Sequence, residues 1–155
     1  MPATRPTPSL MGRALRLLSS REHSRAELEA KLQPFEETPG ALAAVLDKLV
    51  EKDFINEGRV VASILHRRAP KLGAARIQHE LKSKGLAPQA VADAVAALRA
   101  TELERARAVW QRKYDGPPAS ASERAKHYRF LATRGFAGEV VAKLLGDAQG
   151  EWGDE

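Results

Sequence analysis

Displaced by 49 residues against itself, the chain lays the apolar positions of its first third over those of its second. Leu15 falls on Ile64, Leu28 on Ile77, Leu32 on Leu81, Leu42 on Val91, Leu46 on Val95 and Leu49 on Leu98. A further displacement of 50 carries Val60 to Trp110, Ile64 to Tyr114, Leu81 to Leu131, Gly85 to Gly135, Leu86 to Phe136, Val91 to Val141 and Val95 to Leu145. An ungapped self-match at such a period marks a repeat architecture. A lone unit of about 50 residues buries too little surface for comfortable stability, whereas stacked units cover each other's apolar faces. The expected fold is therefore all-α: three tandem three-helix repeats stacked into an elongated, solenoid-like body. The expected boundaries are a disordered leader over 1–9, repeats over 10–57, 58–100 and 101–146, and an acidic flexible tail over 147–155.

Each repeat reads as three short helices. In the first, Met11, Ala14, Leu15 and Leu18 follow the i, i+3, i+4, i+7 spacing of one buried helical face. Ser24 opens the second helix with Glu27 as reciprocal capping partner, Leu28 and Leu32 form its stripe, and Pro34 stops it. Thr38 and Pro39 signal the start of the third, lined by Leu42, Val45, Leu46 and Leu49. In the second repeat, Val61, Ile64 and Leu65 line a helix that ends at Pro70, and another runs from about Gly73 to Lys84. Gly85 suits the left-handed residue that closes it, and Pro88 suits the first turn of the next. Thr101 with Glu104 reads as a capping box opening the third repeat, Ser120 with Glu123 as another, and Gly135 closes the helix between them and Val141.

The chain contains no cysteine, which excludes disulfides and thiolate metal sites and suits a cytoplasmic protein. Met1–Leu10 holds Pro2, Pro6 and Pro8 without an apolar run, so it reads as neither secretion signal nor membrane span. His23, His66, His79 and His127 share no metal-ligand spacing and read as surface or helix-flank residues. No phosphate-cradling glycine loop and no nucleophile elbow occurs, so the expectation is a protein without catalysis, cofactor or metal. Trp110 and Tyr114 stand at core-type repeat positions, with base stacking as the rival reading. Trp152 lies in the acidic tail.

Charge is concentrated in the middle of the chain. Residues 1–57 carry 8 Lys/Arg against 9 Asp/Glu, residues 58–114 carry 12 against 4, and residues 115–155 carry 5 against 7. These give −1, +8 and −2, the +5 of the whole. Arg67, Arg68, Lys71, Arg76, Lys82 and Lys84 stand together with Glu80 as their single acidic neighbour, and Arg112 and Lys113 extend the group from the next repeat. Cations at helix ends complement the helix dipole, but this density exceeds that need and marks a basic edge for phosphate or for an acidic protein surface.

The stretch from Arg67 to Leu86, with Gly73, Arg76-Ile77, Glu80-Leu81 and Lys84-Gly85 as its core, resembles the central signature of the RecX regulatory proteins. Leu49–Glu57 is similar to that family's junction between its first two repeats, and Tyr128–Phe136 to its third-repeat motif. Two features depart from the pattern: Val61 replaces a common aromatic, and Gln33–Gly40 is a longer turn than those after Lys84 and Arg134. The resemblance implies three tandem three-helix units and a modulator of the RecA recombinase. Such a protein binds the RecA–DNA nucleoprotein filament and restrains filament growth, ATP hydrolysis and strand exchange in DNA repair and recombination. Implied partners are the RecA filament and single-stranded DNA, with double-stranded DNA a further candidate, and the implied form is a monomer.

A second reading is an autonomous helix-turn-helix DNA reader, since Lys84-Gly85-Leu86 and Arg134-Gly135-Phe136 each join two helices through glycine. The candidate recognition helix Ala87–Leu98 disfavours it, being mostly alanine and valine with Gln89 and Asp93 as its polar side chains.

Overall fold

The computed structural model describes residues 7–151, and side chains through Gly146. The described residues form nine α-helices in three successive groups of three, joined by turns and one short 3-10 segment, with no strand. The first group is α1 (Leu10–Ser20), α2 (Arg25–Leu32) and α3 (Ala41–Glu51), the second α4 (Glu57–Arg68), α5 (Ala74–Ser83) and α6 (Pro88–Ala100). The third is α7 (Glu102–Lys113), α8 (Ala121–Thr133) and α9 (Gly138–Glu151). Of the expected leader over 1–9, residues 1–6 lie outside the described residues, as does Trp152 of the expected tail; Ser9 is not disordered but caps α1, its hydroxyl accepting from the Gly12 N–H at 3.0 Å, and within the tail α9 continues through Glu151.

The chain divides into two compact units, one reaching to Val60 and including Lys84–Leu86, the other holding Val61–Ser83 and everything from Ala87 onward. In the first unit, Ala14, Leu28, Leu32, Leu42, Leu46, Leu49 and Ile55 form the core. The register of α1 differs from the repeat alignment by one residue: Ala14 is fully buried and Leu15 is 38 % exposed. Alanine at the contact lets α1 approach closely, and the leucine beside it stays at the rim.

Ser24 makes both halves of the expected capping box with Glu27, and its hydroxyl donates onward to the Lys84 carbonyl at 2.6 Å. Gly85 holds φ +67°, and a Cβ there would collide with that of Ala26, so the glycine serves both the turn and the approach. α3 does not open at Thr38 and Pro39. Its N-cap is Gly40, at φ +85°, and the Glu36 carboxylate accepts from the Leu42 N–H at 2.8 Å in place of a threonine hydroxyl.

In the second unit, Ile64, Ile77, Leu81, Val91, Val95 and Leu98 are buried, as are Trp110, Leu131, Phe136, Val141, Leu144 and Leu145. Trp110 is 2 % exposed and occupies the core position its alignment with Val60 requires. Thr101 makes no cap for α7. Its hydroxyl instead donates to the Leu98 carbonyl at 3.3 Å and accepts from Arg105 Nε at 3.0 Å. The neighbouring Glu102 is 2 % exposed and turns to another helix: its Oε1 accepts from the N–H of Ala74, the first residue of α5, at 2.7 Å. Ser120 caps α8 through the Glu123 N–H, while the Glu123 carboxylate takes the Ala119 N–H instead of completing a box.

A candidate anion-binding hollow

In the second unit the start of α5 is tied to the end of α8 by backbone hydrogen bonds, the turn after α4 is held by guanidinium groups of α7, and basic side chains cluster around these joints. The turn after α4 is closed by the Lys71 and Leu72 N–H groups on the Arg68 carbonyl, at 2.9 and 2.8 Å. Arg105 fixes the same turn from below, donating to the carbonyls of Ala69 at 3.0 Å, Leu72 at 2.6 Å and Leu98 at 2.8 Å. Burial lowers the pKa of this guanidinium, with a smaller opposing effect from Glu102. Gly73 N–H then donates to the Arg134 carbonyl at 2.9 Å and Ala75 N–H to that of Gly135 at 3.3 Å, joining the start of α5 to the end of α8. A Cβ on Gly73 would strike the Gly135 carbonyl and the Phe136 nitrogen, and Gly135, at φ +92°, is pressed against Arg76 in the same way. Only two glycines allow this backbone approach.

The consequence is a ring of cations. Arg68, Lys71, Arg76, Arg112, Lys113 and Arg134 line a hollow of about 400 Å³ together with Leu72, Val109 and Phe130, and among the described residues no carboxylate lines it. Three of the guanidiniums are held in place. Arg76 Nη1 donates to the Thr133 carbonyl at 2.9 Å, Arg112 Nη2 to the Pro70 carbonyl at 2.6 Å, and Arg68 pairs with Glu80 at 3.1 Å. Arg134 lies 4.3 Å from the centroid of the Phe130 ring and Lys113 5.9 Å from it. A second hollow, of about 320 Å³, shares Phe130 and Arg134 and adds Tyr114, Lys126, Arg129 and Thr133.

Behind Phe130 stands a buried aromatic stack. Tyr114 meets the Phe130 ring edge to face at 5.6 Å and stacks on His127 at 3.6 Å, and Trp110 Nε1 donates to His127 Nδ1 at 2.9 Å. Accepting at Nδ1 makes the ring neutral with its proton on Nε2, in line with burial, which lowers its pKa against a smaller pull from Glu123. His127 and His23 are 5 % and 1 % exposed: His23 does flank α2, but neither is at the surface, and His127 lies within α8. His23 sits between the Arg21 carbonyl and Lys31, at 3.0 and 3.1 Å. The repeat register itself carried the signal for His127, which falls 50 residues after Ile77.

Five of the eight cations singled out in the sequence converge on the hollow: Arg68, Lys71, Arg76, Arg112 and Lys113. Arg67 and Lys82 are exposed on α4 and α5 and do not line it. Lys84 stands beyond the end of α5, in the first unit, paired with Glu27 at 3.1 Å. Arg134, Lys126 and Arg129 were missed, although Arg134 and Lys126 lie 50 residues after Lys84 and Arg76. Among the described residues there is no group of three or more His, Cys, Asp or Glu that could hold a metal, and no helix long and apolar enough to cross a membrane.

Residues 11–49 match the family model for the first three-helix domain of RecX, and residues 100–145 that for its third. The chain is 52 % identical over 145 residues to the regulatory protein RecX of Leptothrix cholodnii, covering 94 % of this chain and 92 % of that one. It belongs to the RecX family of regulatory proteins. The regulatory protein RecX of Ralstonia nicotianae is 44 % identical, with 95 % and 94 % of the two chains covered. The crystal structure of RecX from Lactobacillus salivarius superposes with a TM-score of 0.74 at 21 % identity, over 90 % of this chain and 94 % of that one, and so shares the RecX fold.

Proposed function

We propose that this RecX-family chain regulates the RecA recombinase by binding the RecA–DNA filament through the basic hollow. It thereby restrains filament growth, ATP hydrolysis and strand exchange in DNA repair and recombination. In this reading it acts in the cytoplasm, as a monomer, with no catalysis of its own. The observation that carries the proposal is the convergence of six cations, from helices and turns far apart in sequence, on one hollow that no carboxylate lines among the described residues. Such a surface fits the phosphates of filament DNA or an acidic protein face. On α6, Gln89 donates to Asp93 at 2.8 Å, so two of the polar side chains an autonomous reader would use are bonded to each other, and the third, Arg99, stands at the far end of the helix.

The test is a titration into a RecA ATPase assay on single-stranded DNA. Lys71→Glu/Lys113→Glu reverses two cations of the hollow whose ammonium groups make no hydrogen bond among the described residues, and each exposed site should cost no more than about 1 kcal/mol of stability. The double variant should stay folded and need at least tenfold more protein for half inhibition. Arg99→Glu/Lys143→Glu, the same charge change on exposed residues away from the hollow, should inhibit like the parent. Six neutralised phosphates would set a logarithmic salt slope of up to about −4 on single strands. A folded hollow variant that inhibits as well as the parent refutes the proposal. So does a parent that binds naked DNA yet leaves the ATPase untouched when DNA is in excess, which is the behaviour of an independent DNA reader.

A further inference from the structure

We infer that the hollow is also a binding site for a small, soluble polyphosphate, a chain of three or more phosphates either free or carried on a nucleoside, whose binding competes with the docking proposed above. The inference rests on that reading for its regulatory meaning but not for the binding itself.

Concavity is the first argument. A groove that tracks a nucleic-acid backbone needs only a basic stripe, whereas here six cations line one open hollow of about 400 Å³, within the range of small-ligand sites. Preorganisation is the second. Arg76, Arg112 and Arg68 are already fixed by Thr133, Pro70 and Glu80, and each bond engages part of a five-donor guanidinium, leaving further N–H groups for an anion. Ordering those side chains therefore adds little to the cost of binding. Repulsion is the third: Arg68 is balanced by Glu80, but the other five cations make no ion pair among the described residues and oppose one another, and a ligand with four or five negative charges relieves this as it binds. Phe130, already flanked by Arg134, supplies the one aromatic surface in the lining where a nucleobase could rest.

The experiment is isothermal titration calorimetry of the full chain at 0.1 M salt with inorganic tripolyphosphate, ATP and AMP, without RecA or DNA. Tripolyphosphate and ATP should bind with a dissociation constant below about 100 µM. AMP should bind at least tenfold more weakly. At 1 mM, tripolyphosphate should raise the melting temperature by about 5 °C. Lys71→Glu/Lys113→Glu should lose at least tenfold in affinity, and Arg99→Glu/Lys143→Glu should match the parent. ATP binding tighter than tripolyphosphate, with the gain removed by Phe130→Leu, identifies a nucleoside polyphosphate, whereas equal affinities identify the phosphate chain alone. No binding at 1 mM, AMP binding as tightly as ATP, or equal losses in the two double variants would overturn the inference. If tripolyphosphate fails to bind while the hollow variant still loses ATPase inhibition, only this inference falls. If it binds while that variant inhibits normally, only the filament-docking reading falls.

Discussion

Replacing Glu102 by alanine should destabilise the second unit far more than a glutamate in a helix's first turn ordinarily would. Its carboxylate is 2 % exposed and accepts the N–H of Ala74, which is fully buried. A hydrogen bond to a charged acceptor contributes about 1.5–3 kcal/mol, and a buried N–H left without a partner costs about 1–3 kcal/mol. These overlap, because the lost bond and the stranded donor are two views of one event, so the expected cost is about 2–4 kcal/mol. Glu102→Gln keeps an acceptor oxygen in the same place and should cost about 1 kcal/mol. Urea denaturation of parent and both variants, followed by far-ultraviolet circular dichroism, measures the difference. The slope should stay constant, so that the midpoint alone carries the effect. If the alanine variant is as stable as the glutamine variant, Glu102 does not cap α5, and the account of how α5 is anchored beside the hollow fails.

Gly73→Ala should cost about 2–5 kcal/mol, because the added Cβ meets backbone of Gly135 and Phe136 and loosens two backbone hydrogen bonds; Gly146→Ala, in helix α9 with open space around it, should stabilise by up to about 1 kcal/mol, and equal melting shifts would refute the contrast. Trp110→Ala should cost about 3–5 kcal/mol, and Trp110→Phe less, while still losing the bond to His127 Nδ1; an alanine variant that melts like the parent would place Trp110 at the surface. Burial pushes the Glu27 carboxyl up, but hydrogen bonds from Arg21, the Ser24 N–H and Lys84 outweigh it and bring it from 4.5 to about 2. Its folded value is the lower one, so its contribution is complete above about pH 4.5 and is lost as pH falls toward 2; the shift is worth about 3 kcal/mol, or about 2 after solvent screening of its partly exposed partners, and the stability gap between parent and Glu27→Gln should close over that window. Burial likewise lowers His23 and His127, so their neutral forms stabilise the fold above pH 6.5, and the parent should lose stability as pH falls below that value; a flat profile from pH 7 to 5 would contradict both.

The helices, the three groups and most of the core follow from the order of the residues alone, because those depend on information local to a few turns. Periodic apolar residues, the Ser24–Glu27 box and the glycines at 85 and 135 each act within about four residues, and the offsets of 49 and 50 multiply that signal. The same offsets assign Trp110 its core position and give His127 one too, fifty residues after Ile77, although histidine chemistry by itself points to the surface. The basic edge was legible as a density of charge, but its shape was not. Whether a cation reaches the hollow depends on contacts spanning 28 to 61 residues: Glu102 to Ala74, Gly73 to Arg134, Arg112 to Pro70 and Arg76 to Thr133. Those contacts bring in Arg134 and leave out Arg67 and Lys82. They also show why the threonine at 101 is not the cap and the glutamate beside it is, for another helix. Hydrogen bonding of this kind is set by which backbone groups burial leaves without water, and that is decided only once the helices have packed.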